Sequence, residues 1–215
     1  MRFRLLPLLA AASLALGGSA AAEASDKTSA TEPVKAVASF SVLADMVRNV
    51  GGNRVEVTEL VGRDGDAHEF NPTPADAKKL ARADIFFVNG LGFEGWMERL
   101  ETSSGFKGAT IVASSGVTPR KMHEEHYDHD DHASGEDHDA GHSEHAEGHD
   151  HRDMDPHAWQ DLANGAIYVA NIRDGLIAAD PDGKAIYEAN ADKYLAALKA
   201  EDAAVKTALG ALPQS

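Results

Sequence analysis

The chain carries eleven histidines and no cysteine, so any metal chemistry must use nitrogen and oxygen ligands. Nine of the histidines fall in one segment: His123, His126, His129, His132, His138, His142, His145, His149 and His151, interleaved with eleven Asp and Glu. Neutral imidazole is the commonest side-chain ligand for zinc, copper and nickel. Several of these spacings would align imidazoles on one helix face. Gly135, Gly141 and Gly148, the dense like charge and the lack of apolar residues argue against a helix. The segment is predicted to be a disordered loop, residues 121–153, with several weak metal sites. The other two histidines, His68 and His157, stand alone in DGDAHEFNPTPAD and MDPHAWQD. Each lies in a proline-punctuated turn just before a helix, where the turn fixes the side chain's direction, and the pair are the candidate ligands of one defined site. Asp66, Glu69, Asp155 and Asp161 are the nearby carboxylates. Each is expected to cap a helix or to accept a hydrogen bond that orients an imidazole, and not to bind metal directly.

Other chemistries find no support. Glu69 after His68 invites an HExxH reading, but Pro72 occupies the position where the second histidine would stand. There is no GxSxG, P-loop or GxGxxG, and Gly90-Leu91-Gly92 reads as a loop. The chain is read as a non-enzyme. Its net charge is −15, most of it concentrated in the histidine segment, which argues against nucleic acid and is compatible with attraction of cations.

The N-terminus has the layout of a signal peptide over residues 1–22. Arg2 and Arg4 precede the apolar run Leu5 to Leu16, and Ala20-Ala21-Ala22 offers an A-x-A cleavage site. That run is shorter than the roughly 20 residues a membrane span needs. With no cysteine at the cleavage point, the mature protein is expected in the periplasm without a lipid anchor. Residues 23–33 are a disordered lead-in.

The elements that must hold the two histidines alternate in type. Strands are predicted at Val34 to Phe40, Val55 to Val61, Ile85 to Val88 and Ala109 to Ala113. Helices are predicted at Ser41 to Val50 with Ser41 as N-cap, from Pro74 to about Ala83 with Thr73 and Asp76 as a capping box, and from Glu94 to Leu100. A helix from Asp161 to Ala179 follows the histidine segment. Asp180-Pro181-Asp182-Gly183 breaks it, and Lys184 to Leu212 continues as a longer helix with an apolar stripe from Tyr187 to Leu212. The fold class is α/β: an N-terminal lobe, residues 34–120 and 154–180, with a four-stranded mainly parallel sheet flanked by helices, followed by a long linking helix over 181–215. The loop carrying His68 leaves the second strand at its carboxyl end, where such sheets bind ligands.

The stretches FSVLADMV, VGGNRV, DAHEFNPTPAD, VNGLGFEGWMERL and MDPHAWQDLANGAIYVANI resemble the periplasmic substrate-binding proteins of zinc and manganese ABC transporters. The resemblance spans nearly all of residues 34 to 212, and the histidine-acid loop resembles the zinc-specific branch. It implies two α/β lobes joined by one long helix, with metal in the cleft. His68 and His157 match the family's first two ligands; the remaining ligands come from a C-terminal lobe that is expected to be absent from this chain, which reads as truncated. It also implies Zn2+ as cargo, a membrane permease as partner, and a monomer. Manganese is the alternative cargo, since carboxylate-rich sites suit Mn2+ and imidazoles favour Zn2+. A periplasmic zinc buffer or metallochaperone acting through the loop alone is the alternative function. Protonated imidazole cannot coordinate, so acid is expected to weaken capture in each case.

Overall fold

The computed structural model describes residues 32–122 and 154–213. The predicted signal peptide, most of the lead-in and all nine histidines from His123 to His151 lie outside the described residues.

Each apolar run of the sequence becomes one element of a doubly covered sheet. Strands β1 (Val34–Phe40), β2 (Val55–Val61), β3 (Ile85–Val88) and β4 (Ala109–Val112) pair in the order β2-β1-β3-β4. Every pairing is parallel, so the sheet is wholly and not just mainly parallel. The central strand β3 is buried throughout, which is why IFFV contains no polar residue. Helices α1 (Ser41–Gly51), α4 (Leu162–Ala179) and α5 (Lys184–Gly210) pack together as one layer, and α2 (Pro74–Leu80) and α3 (Met97–Ser104) as another. Gly175 lets α4 approach the sheet closely, since a Cβ there would lie 2.8 Å from Ile111.

The strand order reverses between β1 and β3. The β1–α1–β2 crossover runs one way along the sheet and the β2–α2–β3 crossover runs the other. The crevice at the carboxyl ends of β1 and β3 is therefore the topological switch point, the usual ligand position in such sheets.

Three helix starts differ from expectation or sharpen it. Ser41 is the first residue of α1, and Phe40 holds the N-cap position without a side-chain bond, because β1 runs straight into the helix. The turn after β3 does not become helical at Glu94. That carboxylate turns inward onto the backbone of Asn89 and Gly90, and the helix begins only at Met97. Thr73 and Asp76 do form the capping box of α2, which ends at Leu80.

The long helix is secured at its root. Arg54 makes a two-pronged contact with Asp180 at 2.8 and 2.9 Å, and Tyr187 donates its hydroxyl to the same carboxylate at 2.6 Å. Burial together with the Asp180 charge pushes the Tyr187 hydroxyl up to about 12. Of the predicted apolar stripe on α5, Tyr187 and Ala191 are buried, whereas Val205, Leu209 and Leu212 are exposed. At 1.5 Å per residue the helix is about 40 Å long, more than the lobe's face can cover.

The two ends of the histidine segment meet. Lys121 and Met154 form an antiparallel bridge, and Asp155 donates its backbone N–H to the Arg120 carbonyl at 2.8 Å. The insertion thus leaves and re-enters the lobe through a narrow neck.

Candidate metal centre

His68 and His157, 89 residues apart in the chain, meet at the switch point with their Nε2 atoms 3.1 Å apart. His68 arrives on the loop after β2 and is exposed; His157 arrives on the turn that leads into a short 3-10 segment, Ala158–Gln160, ahead of α4. Beneath them lies an aromatic floor. Phe93 meets the His68 ring edge-on at a centroid distance of 4.5 Å and His157 at 6.1 Å. Phe40 and Trp159 close the floor, with Trp159 5.2 Å from His157.

The orientation of His157 is set by Asp155. One carboxylate oxygen accepts from the His157 backbone N–H at 2.9 Å and faces Nδ1 at 2.8 Å. The backbone bond first and the ring bond second hold the Asp155 carboxyl below the usual carboxylate range. A charged acceptor at Nδ1 favours the tautomer with its proton there, which leaves the Nε2 lone pair toward His68. For two nitrogens about 2.05 Å from one ion, a tetrahedral angle gives a separation of about 3.3 Å and a right angle about 2.9 Å. The observed 3.1 Å lies between them.

The four expected carboxylate partners take different roles. Asp155 orients an imidazole. Asp66 accepts from the backbone N–H of His68 at 2.8 Å and so shapes the turn, not the ring. Asp161 caps α4 through the Ala163 N–H and pairs with Arg120 at 3.6 Å. Glu69 is exposed and has no side-chain hydrogen bond among the described residues. No set of three or more His, Asp or Glu side chains converges on one point among the described residues.

The segment Asn89 to Trp96, which the sequence marks only as a loop and a helix start, is the mount of both histidines. The Trp96 indole N–H donates to the Ala67 carbonyl at 2.7 Å, and the Asn89 amide donates to the Pro156 carbonyl at 2.9 Å. The segment is itself pinned from below. Glu94 accepts from the Ser39 hydroxyl and the Asn89 N–H at 2.6 Å each, and from the Gly90 N–H at 3.1 Å. Burial pushes the Glu94 carboxyl up despite these donors. Tyr168 on α4 donates to the Asn89 side-chain oxygen at 2.5 Å. Gly90, Leu91 and Gly92 all have positive φ, and Leu91 is the only such non-glycine residue among the described residues. A polar Asn-Gly followed by Glu and Trp, directly after a fully apolar strand, is the signal that marks this segment.

Residues 36–215 match the family described as zinc-uptake complex component A, periplasmic. The chain is 35% identical over 165 residues to the manganese-binding lipoprotein MntA of Halalkalibacterium halodurans, covering 76% of this chain and 46% of that protein. It is 32% identical over 213 residues to the manganese ABC transporter substrate-binding lipoprotein scaA of Streptococcus gordonii, covering 99% and 62%. Among solved structures it resembles the Mn-bound periplasmic metal binding protein of Candidatus Liberibacter asiaticus, with a TM-score of 0.65, 30% identity, and coverage of 81% and 56%. It also resembles Zn(II)-bound AdcA of Streptococcus pneumoniae, with a TM-score of 0.62, 25% identity, and coverage of 80% and 32%. The chain thus spans about half the length of the two manganese lipoproteins and about a third of AdcA.

Proposed function

The chain belongs to the zinc-uptake complex component A family, and from that premise we propose that it captures Zn2+ in the periplasm and delivers it to the membrane permease of an ABC importer. The observation that carries this reading is the convergence of the His68 and His157 Nε2 atoms at 3.1 Å over an aromatic floor. Both are nitrogen ligands of the kind zinc favours, and His157 is held in the ligating tautomer by a carboxylate. Two imidazoles fill only half of a tetrahedral zinc shell, so further ligands complete it. The histidine-rich segment His123 to His151 supports zinc as cargo and would collect it weakly. In this reading metal is cargo and the role is transport.

A manganese reading is favoured by a different observation, the manganese-binding names of MntA and scaA. The 3.1 Å separation suits either a tetrahedral or a right-angled arrangement. We further propose release by the signal peptide without a lipid anchor, although these relatives are named lipoproteins, and a monomeric state with no nucleic-acid partner.

Competitive titration of the full-length protein with Zn2+ and Mn2+ tests the reading. Zinc is expected to bind more tightly, and His68→Ala and His157→Ala should each abolish tight binding. Deleting Glu124 to Asp150 should spare it. Loss of all binding in that deletion would point to the loop-only buffer, and tighter Mn2+ binding would point to a manganese importer.

A further inference from the structure

The two ligand-bearing turns share an Asp-x-His pattern in which the carboxylate accepts the histidine N–H, and both are tied to one eight-residue segment at equivalent points. The Trp96 indole N–H reaches the carbonyl of Ala67, the residue directly before His68, at 2.7 Å. The Asn89 amide reaches the carbonyl of Pro156, the residue directly before His157, at 2.9 Å. A carbonyl held in place fixes the peptide plane that leads into the next residue, and therefore the direction of its side chain. Both donors are fully buried, at 1% and 0% exposure, so neither bond competes with water. Phe93 stands between them and touches both rings.

We propose that Asn89 and Trp96 are positioning residues for metal capture, setting the separation of His68 and His157 from a common mount; this rests on the two histidines being ligands. The tolerance of the site explains why a mount is needed. Ligands about 2.05 Å from one ion allow a nitrogen separation between about 2.9 and 3.3 Å, a window of only a few tenths of an ångström. The two turns lie 89 residues apart in the chain, so contacts with their own sequence neighbours do not fix their separation. The mount resists such drift because its own backbone is over-determined. Glu94 holds the Asn89 and Gly90 N–H groups, Tyr168 holds the Asn89 side-chain oxygen, and Leu91 is kept at φ 56°.

The test uses the full-length protein, with Zn2+ titrated against a chelator strong enough to leave weak sites empty. Trp96→Phe keeps the ring and removes the indole donor. Asn89→Asp keeps the oxygen facing Tyr168 and removes the donor to Pro156. Tyr168→Phe is the mildest change, since it only loosens Asn89. Each folded variant should bind zinc about tenfold more weakly or worse for the first two, and a few-fold more weakly for the third, as outer-sphere substitutions do. The visible spectrum of the Co2+-loaded protein should shift in parallel. A donor that merely stabilises the lobe would lower the unfolding midpoint while leaving Kd and the cobalt spectrum of the folded protein unchanged. That result, with Kd within twofold of the parent, would overturn the proposal. His68→Ala is the control that separates failures: if it too leaves Kd unchanged, the ligand assignment itself is wrong.

Discussion

Replacing Asp155 by Asn tests whether the carboxylate tunes the site or only shapes a turn. One oxygen of Asp155 serves both the His157 N–H at 2.9 Å and Nδ1 at 2.8 Å. Asn keeps an oxygen able to accept both bonds and deletes only the charge. Charge-assisted hydrogen bonds are roughly twice as strong as neutral ones, and a neutral one nets about 1 kcal/mol, so the charge is worth on the order of 1 kcal/mol. The Asp155 side chain is 40% exposed, and solvent screening places the effect at the low end of that scale. Binding a cation at Nε2 draws electron density from the ring and makes the Nδ1 proton a stronger donor. The loss therefore falls mainly on the metal-loaded state, and Kd for Zn2+ should rise about two- to threefold at pH 7. Because the backbone and ring bonds hold Asp155 below the usual carboxylate range, it is ionised across neutral and mildly acidic pH, and the comparison is one of charge alone. Competitive zinc titration gives Kd, and thermal unfolding of the metal-free protein gives the structural cost. An Asn variant that binds zinc as tightly as the parent would refute the reasoning that the Asp155 charge strengthens the site through His157.

Other outcomes follow from the same contacts. Gly90→Ala should destabilise the lobe by about 2–4 kcal/mol in urea unfolding, combining a positive φ with overpacking; the new Cβ would lie 2.5 Å from Val112 at φ 86°. Thr73→Ala should cost about 1 kcal/mol by removing the cap of α2, read from the same unfolding curves. The Arg54 guanidinium holds the Asp180 carboxyl below its ordinary value, with burial opposing and Tyr187 assisting. Its stabilisation is therefore complete above the unfolded aspartate value of about 3.9 and is lost as pH falls through the lower folded value. Asp180→Asn should flatten the fall of the urea midpoint below about pH 4, and an unchanged slope there would show that the pair does not couple to folding.

The strands were legible because burial dictates composition. VKAVASF, VEVTELV and IFFV are rich in apolar and β-branched residues, and each became the strand its pattern predicts. The histidines were legible as residue types in stiff turns and as a candidate pair, but their 3.1 Å separation was not, because 89 residues of chain topology decide it. The mount was hidden for a related reason. Asn89, Glu94 and Trp96 look like loop and helix residues until their partners on other elements, Pro156, Ser39 and Ala67, are in place. Glu94 shows the conflict directly: its local preference would start a helix, and a tertiary carboxylate–amide contact overrides it. The stripe on α5 misled differently, since periodicity reports an apolar face without saying what covers it.

The neck formed by Lys121, Met154 and the Asp155–Arg120 bond has an evolutionary consequence. Thirty-two residues separate its two sides, and removing Glu124 to Asp150 would leave five, within the range of ordinary hairpin loops. Loop-closure entropy grows only with the logarithm of length, at about 0.6 kcal/mol per doubling, so the long and short forms differ by about 1.6 kcal/mol. An insertion between fixed stems can lengthen, shorten or change its histidine count for less than about 2 kcal/mol. Selection can therefore tune its composition to metal scarcity independently of the lobe, and length variation should concentrate between these two stems.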